Sequence, residues 1–376
     1  METDCSSGDT VSKENPDYLS KQVITYIGNK RQLLPLIEQG IFTVAQELGK
    51  GKISTLDLFA GSGVVSRLFK QHATEVYAND LEVYSQIINE CYLTNASPYL
   101  MKHLEDVLIE LQNNIENNWC SDGFIVDMYA PKDDSSIAQG ERAFYTRRNA
   151  EYLDTARQQI GLLPAEIQHF FLAPLLAGAS VHANTSGVFK GFYKNKEGVG
   201  CYGGAGKNAL KRILGDISVQ VPILSNCDCY TQVTRLDARD AVVELPGVDL
   251  AYLDPPYNQH PYGSNYFMLN LVATYDEPES ISTVSGIPLD WNRSLYNKQK
   301  KAKDELFHVV SQCKAQYILI SYNSEGFVSY EEFITFLEDL GHLRVFETKY
   351  NTFRGSRNLR GRDLHVREYL FLLRRE

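Results

Sequence analysis

DLAYLDPPYNQH, residues 249–260, is the stretch whose reading decides the fold. Residues 250–253 form an apolar run that reads as the end of a buried strand, and Asp254-Pro255-Pro256-Tyr257 follows without a break. Two consecutive prolines cannot continue a ladder, because neither has an N–H and each fixes its φ. The strand therefore stops here, leaving a carboxylate at its C-terminal end and an aromatic ring three residues on, both on a stiff turn. In open α/β sheets, ligands bind just outside such strand ends. A turn of this kind can hold an exocyclic amino group: the carboxylate accepts its N–H bonds and the ring stacks on the heterocycle. A plain surface turn could carry the same four residues, so the rest of the chain must decide.

Upstream, KISTLDLFAGSGVVSRLFKQ (residues 52–71) reads as a strand over 53–59, a tight turn through Ala60, Gly61, Ser62 and Gly63, and a helix opening at Val64. Glycines at such a junction let a ligand approach the backbone, and the helix start offers free N–H groups. Asp57 could accept bonds from an ammonium group or fix the loop. The dinucleotide fingerprint G-x-G-x-x-G is incomplete, because Ser66 stands at its third glycine, which lowers the weight of a pyrophosphate site. A second strand ends in Asp80, about 20 residues after the turn, where an acid suits a ribose with two free hydroxyls. The same residue could simply cap the following helix. Residues 24–42, ITYIGNKRQLLPLIEQGIF, read as a short apolar piece, a Gly-Asn turn and a helix with Pro35 in its first turn.

From about residue 96 the pattern changes to helical stretches (101–117, 141–160, 164–177) and loops rich in Gly, Asn and Lys. Residues 181–212 carry Lys190, Lys194, Lys196, Lys207, Lys211 and Arg212 with Phe189, Phe192, Tyr193 and Tyr202 interleaved and one acid, Glu197. Basic residues attract phosphate, and aromatics can stack on bases or pack. Strand-like residues 230–236 and the acids Asp237 and Asp240 follow, then the strand carrying Asp254. Residues 317–322 are another buried strand. A last hairpin pairs 343–350 with 368–373 across a loop bearing Arg354, Arg357, Arg360 and Arg362.

The chain has 376 residues, 43% hydrophobic and 22% charged, ordinary for a soluble globular protein. A net charge of −10 argues against indiscriminate coating of nucleic acid but leaves room for a locally basic cleft. The seven cysteines are scattered and lack metal-site spacing, so reduced thiols, a cytoplasmic setting and no metal are expected. No apolar run reaches the roughly 20 residues of a membrane span. The N-terminus lacks a signal peptide's features, and residues 1–17 are expected to be a disordered tail. Nothing marks the oligomeric state.

In order, the segments are Tyr26-x-Gly28-x-Lys30, D-x-F-x-G-x-G (residues 57–63), a strand-end acid, a long insertion, a second strand-end acid and DPPY. This order resembles the Dam-like N6-adenine-specific DNA methyltransferases over roughly residues 20–95 and 230–373. The resemblance implies an α/β Rossmann-like methyltransferase sheet with helices on both faces. Residues 18–95 and 231–376 would form the S-adenosylmethionine-binding catalytic domain, and 96–230 an inserted, mainly helical target-recognition region. It implies that Tyr26, Lys30, Asp57, Phe59, Ala60, Gly61, Gly63 and Asp80 hold the cofactor. Asp240 would lie at the adenine amino group, with Asp237 close enough to compete. Asp254, Pro255, Pro256 and Tyr257 would form the catalytic turn, and Ser321-Tyr322-Asn323 loosely matches a later motif near the target base. The implied substrate is double-stranded DNA, and the implied protein partner is a cognate restriction endonuclease. Asn184, Thr185, Ser186, Lys190, Lys194, Lys196, Lys207, Arg354, Arg357 and Arg360 are the expected DNA contacts.

The implied chemistry needs no covalent intermediate. Asp254 and the Pro255 carbonyl accept the amino group's two N–H bonds, and the base is flipped out and stacked on Tyr257. Competing readings are an RNA adenine methyltransferase, an N4-cytosine enzyme (which commonly has Ser in place of Asp254), a silent nucleic-acid-binding subunit and a nicotinamide-dependent dehydrogenase.

Overall fold

A computed structural model describes residues 14–351 and 365–376. In chain order the elements are α1 (Pro16–Ser20), α2 (Leu34–Leu48), β1 (Ile53–Asp57), α3 (Val64–His72), β2 (Ala73–Asn79) and α4 (Val83–Tyr92). The insertion supplies α5 (Pro98–Asn117), α6 (Phe124–Tyr129), α7 (Arg147–Gly161), α8 (Ala165–Val181) and α9 (Leu210–Ile213). Then come β3 (Tyr230–Thr234), α10 (Ala238–Glu244), β4 (Val248–Leu253), α11 (Tyr262–Asn265) and α12 (Phe267–Thr274). The chain closes with α13 (Gln299–Gln312), β5 (Ala315–Asn323), α14 (Tyr330–Glu338), β6 (Gly341–Asn351) and β7 (His365–Arg375).

The central strands β1, β4 and β5 are buried almost along their whole length, as parallel strands covered on both faces must be. Seven strands form one sheet in the order β3-β2-β1-β4-β5-β7-β6. β1 to β5 run parallel, β7 is antiparallel to β5, and β6 is antiparallel to β7. Strand periodicity divides the apolar residues between two layers. Leu250 and Tyr252 face Ile37 and Ile41 of α2 and Leu68 and Phe69 of α3. Ala251 and Leu253 face Val242 of α10, Leu306 and Val309 of α13 and Phe333 of α14. The chain runs outward from β1 through β2 to β3 and then returns to β4, so β1 and β4 are neighbours whose following loops leave in opposite directions. A crevice opens at their C-terminal ends.

The insertion begins and ends at one place, where the Ala96 N–H donates to the Ser225 carbonyl (3.0 Å). It is not an independent unit. Its apolar residues share one core with α4 and α12, and the Phe144 and Phe189 rings lie 5.9 and 6.3 Å from Phe267 of α12. α12 (FMLNLVAT) is apolar nearly all round, so it needs cover on a second side. The helix expected at 141–160 starts only at Arg147, because Thr146 caps it by accepting the Asn149 N–H. Of the expected tail, residues 1–13 lie outside the described residues, and 14–17 are held in place: Glu14 accepts from Ser225 and Asn226, and Asn15 caps α1.

The structure corrects two expected DNA contacts. Asn184 is fully buried: its amide donates to the Ala143 and Cys201 carbonyls (2.8 and 3.4 Å) and accepts from Gly203 N–H (3.0 Å). Thr185 is 3% exposed, and its hydroxyl accepts from Gly187 N–H. These side chains fold the 184–203 loop on itself and offer nothing to a duplex; only Ser186 of the three is exposed. Asn184→Ala should therefore lower stability by about 1–3 kcal/mol, because it strands buried backbone groups. Ser186→Ala should stay within about 0.5 kcal/mol. Urea denaturation of the two variants checks both.

Candidate active site

The glycine turn after β1 is held rigidly from several sides. Gly61 and Gly63 adopt φ of 51° and 72°. A Cβ on Gly61 would stand 2.8 Å from the Tyr26 ring, and one on Gly63 would stand 2.7 Å from Asn89 Oδ1. Asp80 Oδ2 accepts the Gly61 N–H (2.8 Å), and Ser85 Oγ donates to the Gly61 carbonyl (2.7 Å). Asp80 Oδ1 accepts the Glu82 N–H (2.9 Å). Tyr26 stacks on Tyr262 and Tyr266, with ring centroids 5.1 and 4.8 Å away. The Tyr266 hydroxyl accepts the Ile27 N–H and that of Tyr262 donates to the Ile27 carbonyl, fixing the N-terminal turn over the glycine loop.

The crevice runs from Leu58 and Phe59, just before this turn, to Asp254; Ala60, Gly61 and Gly63 do not line it. Tyr26, Phe59, Asp80, Glu82, Asp237, Asp254, Tyr262 and Tyr296 line it, and so does Pro256. Four carboxylates face it, and among the described residues no lysine or arginine lines it. Its apolar wall is Phe59 with Tyr296 edge-on at 5.2 Å. Two buried polar atoms of the lining, Tyr296 Oη and Asn297 Oδ1, have no hydrogen-bond partner among the described residues. Beneath the turn, Asp57 accepts from Ser66 Oγ through Oδ2 (2.6 Å), while its Oδ1 is also buried without a partner. Burial, reinforced by the nearby Asp254 and Asp80 charges, pushes the Asp57 carboxyl up to about 7.

Several lining residues carry no sequence signal of their own. Asn79 ties three strand tips together: its amide donates to the Leu58 and Leu236 carbonyls and accepts from the Leu236 N–H. Glu82 Oε2 accepts from Asn270 Nδ2 (2.5 Å) and Asn292 Nδ2 (3.1 Å), and burial pushes its carboxyl up to about 7. Asn292, Ser294, Tyr296 and Asn297 come from the polar loop after α12, which forms a wall of the crevice. The one sequence signal for them is the length of that loop.

The second acid also falls differently from expectation. Asp237 lines the crevice and caps α10 through the Arg239 N–H, whereas Asp240 is exposed one turn on and outside the lining. The helix start decides this, because a cap residue sits at the strand-end rim while the next turn rotates away.

At the other end, Asp254 follows β4 with its side chain 19% exposed. Lys30 Nζ lies 3.1 Å from Asp254 Oδ1 and 2.7 Å from Glu368 Oε1 on β7. Lys30, expected to hold the cofactor, is 4% exposed and does not line the crevice. Burial alone would lower its pKa, but the Asp254 and Glu368 charges outweigh that and hold the ammonium well above its usual range. Burial pushes Asp254 up to about 6 against the opposing pull of Lys30. Pro255 is buried, and the Tyr257 ring meets Tyr322 edge-on at 5.9 Å, with Lys30 Nζ 5.8 Å from its centre. Ser321 and Asn323 lie beside Glu368 and donate to it (3.3 and 3.1 Å).

The basic insertion segment reaches the rim at one point, where Lys190 Nζ stands 3.4 Å from His260 Nδ1 at the end of the DPPYNQH turn. Lys190, Lys194, Lys196 and Lys207 are exposed. Phe189 is buried, so its ring is not presented for stacking; Phe192 is half-buried, edge-on to Phe144 with Lys194 Nζ 4.8 Å from its centre. Arg212 donates to the Val181, Ala183 and Thr185 carbonyls. Arg354, Arg357, Arg360 and Arg362 lie outside the described residues. Among the described residues no cluster of metal-ligating side chains occurs, and no helix is long and apolar enough to cross a membrane.

Comparison with known proteins agrees with this geometry. Residues 26–335 match the family of D12 class N6 adenine-specific DNA methyltransferases. The Type II methyltransferase M.NlaIII of Neisseria lactamica is 30% identical over 360 residues, covering 93% of this chain and 99% of its own length. M.CviAII of Paramecium bursaria Chlorella virus 1 is 28% identical over 360 residues, covering 93% and 98%. M.FokI of Planomicrobium okeanokoites is 26% identical over 364 residues, covering 93% of this chain and 52% of its own. Phe59 of the D-x-F-x-G-x-G segment and Asp254 and Pro256 of the DPPY turn lining one crevice, and a family match spanning most of the chain, lead to one assignment: this chain belongs to the D12 class of N6 adenine-specific DNA methyltransferases.

Proposed function

We propose that the crevice binds S-adenosylmethionine, and that Asp254 and the Pro255 carbonyl orient the N6 amino group of an adenine flipped out of double-stranded DNA. The observation that carries this reading is the charge of the lining: four carboxylates, with no lysine or arginine among the described residues. A dinucleotide brings two phosphates, which such a wall repels. A sulfonium nucleoside brings positive charge, a ribose diol and an aminopurine, each of which an acid can satisfy. The orphaned atoms fit the same group. Tyr296 Oη can donate, and Asn297 Oδ1 and Asp57 Oδ1 can accept. Asp80 and Glu82 at the tip of β2 suit the ribose, Phe59 and Tyr296 the base, and Asp237 its amino group.

When bound, the cofactor supplies an electrophilic methyl group. The residues do the rest. The target amino group is conjugated into its ring and is a weak nucleophile. Accepting both its N–H bonds draws the nitrogen toward tetrahedral geometry and turns its lone pair away from the ring. Lys30 occupies Asp254 Oδ1, leaving Oδ2 to accept. Tyr257, braced by Tyr322, offers the stacking face. The exposed Lys190, Lys194, Lys196 and Lys207 supply a field for the DNA backbone on the insertion side. The named relatives support a restriction-modification setting with a cognate endonuclease as partner.

Four outcomes are expected. In calorimetry, Asp80→Ala and Asp237→Ala should each weaken S-adenosylmethionine by about 1–3 kcal/mol, whereas Asp240→Ala changes its Kd less than twofold and NAD binds to none; equal losses at Asp237 and Asp240 would count against this placement of the adenine. Asp57 and Glu82 are held near 7, so a cationic ligand should drive them ionised. Binding near pH 6.5 should then release protons, seen as a buffer-dependent heat that vanishes by about pH 9. Asp254→Ala should abolish transfer of tritiated methyl groups to duplex DNA while cofactor Kd stays within a few-fold; near-normal single-turnover rates would remove Asp254 from the chemistry. Neutralising Lys194, Lys196 and Lys207 together should flatten the salt dependence of DNA binding by about one unit of slope for each phosphate no longer neutralised, and an unchanged slope would make that segment a plain solvated loop.

A further inference from the structure

Glu368 does not line the crevice, yet it is tightly constrained. Its side chain is 5% exposed. On β7 it faces Asn323 of β5 in register, and it accepts from Asn323 Nδ2 (3.1 Å), Ser321 Oγ (3.3 Å) and Lys30 Nζ (2.7 Å). The Lys30 ammonium is therefore divided between two carboxylates, with Glu368 0.4 Å nearer than Asp254 (3.1 less 2.7 Å).

We infer that Glu368 is a positioning residue that draws Lys30 partly off Asp254, so that Asp254 is held in place by Lys30 and still free to accept the target amino group. A buried lysine with Asp254 as its only acid would form a tight, saturated pair. Such a pair fixes the carboxylate but withdraws electron density from the oxygen that must accept N–H bonds. Without Lys30, Asp254 would be a half-buried acid beside Asp57 and would protonate. Sharing the ammonium meets both demands. This inference rests on the reading of Asp254 as the acceptor.

Among the described residues, the groups that face Asp254 are Lys30 from the N-terminal turn, Glu368 from β7, Asp57 from β1, Tyr252 of β4 itself and Tyr262 of α11, with Tyr257 beside Lys30. The Tyr252 and Tyr262 hydroxyls are held neutral by burial, well above the usual range. Asp57 titrates in the same region as Asp254, so the assignment of the acid limb needs its own control.

The test is the pH profile of single-turnover methylation of duplex DNA at saturating S-adenosylmethionine. The wild-type rate should rise through about 6, the value to which burial lifts Asp254. Glu368→Gln removes a like charge and releases Lys30 onto Asp254, so the acid limb should move down by about one unit. Its plateau rate should fall roughly 10- to 100-fold, with cofactor Kd unchanged. Lys30→Met should move the limb up by at least about one unit. Opposite shifts in the two variants support the relay. A limb that stays put in Glu368→Gln, or shifts in the same direction in both, overturns it, even if the rates fall. Glu368→Asp, which keeps the charge with a shorter reach, should shift the limb less and in the same direction. It serves in place of Glu368→Gln should thermal melting show that variant unfolded. Asp254→Asn is the separate control. Loss of activity, or residual activity without the limb, upholds Asp254 as acceptor while leaving Glu368 to stand or fall on its own variants. A limb persisting near 6 in Asp254→Asn overturns both.

Discussion

A single buried ammonium ties the architecture to the chemistry. Lys30 reaches Asp254 at the end of β4 and Glu368 on β7, a partner 338 positions away in sequence. Removing a charge from water costs several kcal/mol, which only good geometry with opposite charges recovers. For Lys30 that geometry exists only when three things hold together. The N-terminal turn must sit on its tyrosine bed, β4 must stop at the prolines, and β7 must lie between β5 and β6. The ion triad is weak evidence for net stability. As a constraint on arrangement it is strong, because misplacing any of the three segments leaves a buried charge unpaired.

The strand order then explains why the crevice lies where it does. β1 and β4 are neighbours although the chain between them makes two further strands and the whole insertion. Their C-terminal tips bring Phe59 and Asp254 into one groove. Asn79 braces the tips of β1, β2 and β3 from below, and Glu82 latches the loop bearing Asn292 from the side. The glycine turn is thereby shaped by contacts from above as much as by its own backbone, since Tyr26 occupies the space a Gly61 side chain would need.

The insertion is built without an independent core. Its helices close around α4 and α12, and the buried amide of Asn184 and carboxylate of Asp154 organise its loops. The Tyr275 hydroxyl, just past α12, donates to Asp154 (2.8 Å), so the insertion and the segment after α12 share polar as well as apolar contacts. The lysines stay outside on this frame, and Lys190 meets the DPPYNQH turn at His260.

Much of this was legible in the sequence because the relevant signals are local. Two adjacent prolines end a strand wherever they occur, glycines mark the turn after β1, and near-continuous apolar runs identify the central strands. Those features specified the α/β sheet, the positions of Asp57, Asp80 and Asp254, and the resemblance that the family match then established. Tertiary structure decided the remainder, because it depends on which distant residues become neighbours. Asp237 rather than Asp240 faces the crevice because of where one helix cap falls. Asn184 and Thr185, polar in the chain and apt for DNA by type, are consumed in folding their own loop. Phe189 turns inward because α12 needs cover. Lys30 lies beside the DPPY turn, paired with an acid on β7 that no spacing connects to it, since a buried charge is placed by its partners and partners are chosen by the fold.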